Sequence, residues 1–220
     1  MQNTRVFFSE EQDRLRHEIL TMATLVEENL GKALTALRNS DAELAREVKA
    51  ADAEINGRQL KIEDAAAVLI ATQQPVAADL RELVTILKLT ANLERVGDHA
   101  VHLARTVIKL SGKASFRAME HLEKMAETGQ EMIRAAIAAF LDKDAEAARR
   151  TAALDDVIDG EHKSLIKAGL LMMKKHPELL KKALRIIQTS SDLERMGDHI
   201  TNICEAIVYM TESKHEELNE

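Results

Sequence analysis

Apolar residues recur at steps of three and four through almost the whole chain, the spacing of one face of an α-helix. The first track runs Leu15, Ile19, Met22, Val26, Leu30, Ala33 and Leu37. It predicts a helix over 9–39, opened by a capping box at Ser9-Glu10-Glu11-Gln12. Residues 1–8 carry no such pattern and read as a loosely held lead. A second capping box, Ser40-Asp41-Ala42-Glu43, opens a helix tracked by Ala45, Val48, Asp52, Ile55, Gln59, Ile62, Ala66 and Leu69. That helix must stop before Pro75, because the residue before a proline avoids helical backbone. Pro75 suits the first turn of a third helix, tracked by Val84, Leu87, Ala91, Glu94, Asp98 and Val101 and ended by Ser111-Gly112. Helices over 116–141, 143–175 and 178–212 repeat the plan. The charged tail 212–220 is expected to fray. Three acids, Asp52, Glu94 and Asp98, thus fall on tracks that should face the core.

The repetition is literal. Leu93-Glu94-Arg95-Val96-Gly97-Asp98-His99-Ala100 returns one hundred positions later as Leu193-Glu194-Arg195-Met196-Gly197-Asp198-His199-Ile200. The stretch 41–57 aligns with 144–160 at an offset of 103. A tandem duplication follows. The expected fold is all-α, two tandem three-helix bundles over 9–111 and 115–212. The joint at 111–115 is too short to let the halves swing apart.

Composition agrees. Hydrophobic residues make up 45% of the chain and aromatics 2%, so aliphatic side chains must fill the core; two Pro and eight Gly leave little turn chemistry for strands. A net charge of −7 gives nucleic acid no basic face to bind. The single cysteine, Cys204, excludes an internal disulfide framework and fits a reducing compartment. No apolar run approaches the ~20 residues of a membrane span, and the N-terminal stretch lacks a signal-peptide core. The expectation is a soluble, cytoplasmic protein.

The chemistry lies in the acids. Glu94 and Asp98 sit at i and i+4, on one helix face, as do Glu194 and Asp198. Asp52 is 23 residues before Pro75 and Asp98 is 23 after it, so a tight antiparallel hairpin sets them level. Asn56 falls level with Glu94 in the same way. In the second half Asp155 approaches the level of Asp198, and Asp159 that of Glu194. Glu28 and Glu131 reach similar levels across the preceding turns. Carboxylates gathered inside a bundle must protonate, pair with arginine or lysine, or hold a metal. Arg95 and Arg195 are the nearest candidates for pairing. Oxygen-rich donors suit Mg²⁺, Ca²⁺, Mn²⁺ or iron.

Other features are plainer. His99 and His199 point roughly 100° away from the motif aspartates and read as surface histidines. His99 and His102 form an i,i+3 pair, but Asn202 replaces the second histidine in the other copy. Gly97 and Gly197 each cost about 1 kcal/mol inside a helix and suggest close packing or room for a ligand. Cys204 reads as a small apolar residue. There is no phosphate-binding glycine loop, nucleophile elbow or Cys/His zinc pattern.

In LERVGDH and LERMGDH, set in two three-helix repeats, the chain resembles the PhoU family. The family's acid pair on the third helix matches Glu94/Asp98 and Glu194/Asp198. Its second-helix motif matches Asp52/Asn56 and Asp155/Asp159, and its "QP…LR" turn matches Gln74-Pro75 and Leu80-Arg81. His176 departs from that turn in the second copy. The resemblance implies a cytoplasmic, often dimeric protein without enzymatic activity. Some members carry multinuclear metal clusters, so the resemblance marks these acids as metal-ligand candidates; the expected occupants are divalent or iron ions (Mg, Mn, Fe or Zn), with the identity left open. It also implies a negative regulator of phosphate uptake and of the phosphate regulon. Such a protein couples the ATPase subunit of the phosphate ABC transporter to the phosphate-sensing histidine kinase. It meets the membrane only through those partners. Two rival readings remain from the residues themselves: a ferritin-like metalloenzyme and a metal-free scaffold. The enzyme would need Glu-x-x-His pairs, and Gly97 and Gly197 stand where those histidines would be.

Overall fold

A computed structural model describes residues 2–110 and 116–219, and every regular element among them is helical. The first repeat comprises α1 (Gln2–Asn39), α2 (Ala42–Gln73) and α3 (Ala77–Leu110). The second comprises α4 (Phe116–Asp142), α5 (Ala145–Ala152), α6 (Asp155–Lys175), a 3₁₀ turn (Pro177–Leu179) and α7 (Leu180–Glu212). The expected joint at 111–115 and the helix stop at Ser111-Gly112 lie outside the described residues.

Both repeats turn their first hairpin in the same way. Ser40 and Lys143 each take a left-handed backbone with φ 53°. The aspartate that follows caps the next helix: Asp41 accepts from the backbone N–H of Glu43 and Leu44, and Asp144 from that of Ala147. The cap of α2 is therefore Asp41 rather than Ser40. Pro75 lies in the link before α3, which starts at Ala77, whereas Pro177 begins the 3₁₀ turn.

The two repeats pack against each other along their length. α3 and α7 run antiparallel: the Thr85 hydroxyl donates to the Ala206 carbonyl at 3.2 Å, and the Thr189 and Thr106 hydroxyls meet at 2.9 Å. α1 and α4 are antiparallel too, with Arg134 on Glu27 at 2.6 Å and Arg38 on Glu123 at 3.0 Å. Buried Glu82 on α3 is held by Arg16 of α1 and, at 2.8 Å, by Lys143 of the second repeat. One continuous apolar core, from Ile19 and Leu30 through Leu93 to Phe140 and Met196, runs through both halves.

Four expectations change. α1 reaches back to Gln2, because Phe8 is 5% exposed against the core and Arg5 pairs with Asp79 at 2.6 Å. Ser9 is then interior to the helix, not its cap. The helix expected over 143–175 is interrupted at Ala153–Leu154, where the N–H groups of Leu154 and Val157 bond three residues back, a tighter winding. The buried stripe of α3 runs through Leu83, Ile86, Leu93, Val96, Ala100 and Leu103, while Ala91 faces solvent. α3 packs against α1, α2 and α7, so its stripe is wider than a single apolar track and turned off the expected one. Finally, the tail, as far as residue 219, is tied back to the bundle. Arg149 grips Glu212 at 2.8 Å and Glu216 at 2.7 Å, and the Leu218 N–H donates to Glu205 at 2.9 Å.

Phe8 tests the first of these. Phe8→Ala is expected to cost roughly 3 kcal/mol in chemical denaturation, the loss typical of a buried ring. Unchanged stability would mean that the first turns of α1 contribute nothing.

Candidate metal centres

The first acidic group sits between α2 and α3. Asp52, Asn56, Glu94 and Asp98 are all half-buried. The Asn56 amide donates weakly to Asp52 Oδ2 at 3.4 Å. Asp52 Oδ1 and Asn56 Oδ1 are buried atoms with no hydrogen-bond partner. Burial, then the charge of Asp98, raises the carboxyl pKa of Asp52 above the usual range. Glu94 is raised by burial and Asp98 as well. Arg95, largely exposed, lies 3.5 Å from both Glu94 and Asp98, a loose pairing that leaves Asp52 untouched.

The second group is deeper. Asp155, at the first turn of α6, is 7% exposed. Burial pushes its carboxyl up to about 7, helped by Asp198, Asp159 and Glu194 in that order. Its Oδ1 is buried without a partner. Gly197 explains how it fits: a methyl group there would overlap Asp155 Oδ1, so only glycine lets α6 and α7 close over this carboxylate. Glu194 is likewise raised by burial and by Asp198. Lys163 pairs with Asp159 at 3.0 Å, and the tail residue Asn219 donates to Asp198 at 3.1 Å. Arg195 is exposed and makes no ion pair among the described residues.

The hairpin levels read from the prolines therefore agree with the mutual influence of Asp52 with Asp98 and of Asp155 with Asp198. Glu28 and Glu131 are both exposed. Glu28 lines a separate groove with Lys32, Arg38 and Gln130 on the α1–α4 side. No three acidic side chains in either group bring oxygens within 4.8 Å of one another among the described residues. Even so, the donors suit a cation: Asp52 Oδ1, Asn56 Oδ1 and Asp155 Oδ1 are buried oxygens without a partner, and burial with neighbouring acids favours the protonated form of Asp52 and Asp155 in the absence of a counter-ion.

The histidines depart from the surface expectation. His99 is buried and His199 half-buried, because α7 and α3 cover them in the seam between the repeats. Their rings are 5.6 Å apart, and burial lowers the pKa of His99 to about 4. No periodicity signal marked this, since the seam exists only once the two repeats meet. Cys204 is fully buried, as its apolar reading requires, and burial pushes its thiol up to about 12.

A family profile described as PhoU domain matches residues 19–107 and again 122–207, once in each repeat. The phosphate-specific transport system accessory protein PhoU homolog of Pseudomonas putida is 34% identical over 92% of this chain and 80% of its own length. The Escherichia coli phosphate-specific transport system accessory protein PhoU is 31% identical over 92% of this chain and 84% of its own length. The crystal structure of PhoU from Pseudomonas aeruginosa superposes with a TM-score of 0.90 at 33% identity, covering 94% of this chain and 100% of that one. The phosphate transport system regulatory protein PhoU from Streptococcus pneumoniae gives 0.88 at 31%, covering 95% and 99%.

Asp155 sets a pH signature in metal-free protein. Its folded-state pKa is raised from 3.8 to about 7, so the folded state binds the proton more tightly. Its contribution is thus present below the unfolded value and is lost as pH rises through the folded one. Asp155→Asn should leave stability nearly unchanged at pH 4. At pH 8 it should raise it by on the order of 1 kcal/mol, water around the cluster screening the rest. Denaturant melts in chelator at both pH values measure this; an equal effect at both would reject the buried-acid assignment.

Proposed function

This chain belongs to the PhoU family, and from that premise we propose that it is an accessory regulator of phosphate transport. Its finer role is negative regulation of phosphate uptake and of the phosphate regulon. It links the ATPase subunit of the phosphate ABC transporter to the phosphate-sensing histidine kinase from the cytoplasm, as a homodimer. Among the described residues no helix is long and apolar enough to cross a membrane, which fits contact with the membrane through partners alone.

The observation that carries the metal part of this reading is one buried carboxylate oxygen without a partner in each repeat, Asp52 Oδ1 and Asp155 Oδ1, with the Asn56 amide oxygen beside the first. Asp52, Asn56, Glu94 and Asp98 would hold one cation or cluster, and Asp155, Asp159, Glu194 and Asp198 the other. Glu28 and Glu131 would join only by turning inward from the surface. A bound cation supplies positive charge to these acids and coordination positions for an anionic oxygen such as that of phosphate. The chain's own part is to place the donors on neighbouring helices, so that neutralising them draws α2 onto α3 and α6 onto α7.

Two measurements test the proposal. Protein purified without chelator is expected to carry metal by elemental analysis, and Glu94→Ala/Asp98→Ala to lose the first site's share. In chelator the same double variant should melt no lower than the parent, since it removes buried repulsion. Full metal retention by the variant, or a fall of about 5 °C or more in chelator, would reject the first site. Capture of the transporter ATPase and the histidine kinase by the full chain, with and without phosphate, tests the partners. Failure to retain either would reject the coupling role.

A further inference from the structure

We propose that His99, His102 and Asp192 form a separate binding site for one divalent transition-metal ion of the Zn²⁺ class, set in the seam between the two repeats. Each offers a ligand atom, and the three lie within 4.8 Å of one another, the only such trio among the described residues. His102 Nδ1 is 3.3 Å and His99 Nδ1 4.0 Å from Asp192 Oδ1. The trio joins α3 to α7, whereas the acidic groups join α2 to α3 and α6 to α7; His102, one turn beyond Asp98, is close enough for its charge to act on Asp52.

Plain proximity to Asp192 satisfies neither histidine. The His99 side chain is 9% exposed, yet its Nδ1 has no hydrogen-bond partner, and neither has His102 Nδ1. Two unsatisfied ring nitrogens aimed at one carboxylate are costly unless something between them is shared.

The duplication supplies a comparator inside the same chain. One hundred positions on, His99 and His102 become His199 and Asn202, and Asp192 corresponds to Asn92. In that copy the polar groups satisfy one another. His199 Nδ1 lies 3.0 Å from Asn92 Oδ1, and the Asn202 amide donates to the same oxygen at 3.5 Å. An amide-based copy that closes on itself faces a His/His/Asp copy that does not. His99 and His102 share a face of α3 by their i,i+3 spacing, and Asp192 comes from antiparallel α7. Two imidazoles and a carboxylate suit Zn²⁺ and similar ions, whereas the outer groups offer oxygen and suit harder ones. Three protein donors leave a fourth position open. An ion there ties α3 to α7 and so locks one repeat onto the other.

The test is Zn²⁺ titration of histidine-¹⁵N-labelled full-length chain by NMR, with Asp52, Asp98, Asp155 and Asp198 changed to Asn to silence the outer groups. One equivalent of Zn²⁺ should move the His99 and His102 ring resonances together. Adding Asp192→Asn should weaken that binding by about tenfold or more. If the fourfold variant does not fold, the same titration is run on the parent and on His102→Asn, a change at a partly exposed position. The His99 shift should then be present in the first and lost in the second. Ring resonances that do not respond to Zn²⁺, or that respond equally in Asp192→Asn or His102→Asn, would overturn the proposal.

Discussion

The antiparallel seam between α3 and α7 joins the two repeats and divides the chemistry that lies between them from the chemistry that lies within each one. Each three-helix repeat leaves one face of its last helix apolar, and the two faces bury each other. The seam is lined by Leu, Ile, Val and Ala, with threonine hydroxyls bonding across it or back to their own helix. With almost no aromatic side chains to fill gaps, the two repeats must approach closely to exclude water. The repeated LER-x-GDH motif then reads as a two-sided device. Its aspartate and histidine are adjacent, so their directions differ by about 100°. Asp98 turns toward α2 and Asp198 toward α6, inside each repeat. His99 and His199 turn into the seam, between repeats. A single helical step separates intra-repeat chemistry from inter-repeat chemistry.

Much of this was legible in the chain. Helix existence followed from three-four periodicity, the hairpin partners from the two prolines, and the facing of Asp52 by Asp98 from equal distances to Pro75. What was not legible depended on contacts between the repeats or on local choices without a sequence marker. Ala91 lies on a good apolar track yet faces solvent, because α3 serves three neighbours and its stripe is turned toward their common centre. His99 is buried only because a second copy of the same helix lies across it. The interruption at Ala153–Leu154 carries neither glycine nor proline, so nothing in its residues announced it. The tail looked like a solvated charge run. Glu212 and Glu216 are instead the partners of Arg149, a residue more than sixty positions away.

The two acidic groups share a plan but differ in their surroundings. The first has an amide, Asn56, in place of a fourth acid and a loosely attached arginine. The second has four carboxyls, a lysine at its edge and the tail lying over it. Asp155 is shifted furthest because it is the most deeply buried of these acids, with Asp198, Asp159 and Glu194 adding repulsion. Its depth has a local cause. The helix restarts at Asp155 after the interruption, so this carboxylate enters the bundle from the end of a helix, opposite a glycine that yields the space.

Duplication followed by unequal drift is therefore the source of the protein's chemical variety. Three of the four positions in each acidic group are acids in both copies, the exception being Asn56 against Asp159. The seam positions differ more: Asn92, His99 and His102 in the first copy stand against Asp192, His199 and Asn202 in the second, so one trio across the seam has two histidines and an aspartate and the other a histidine and two asparagines. Seam residues of both copies lie against the same pair of helices, so a change in one alters the packing that the other experiences.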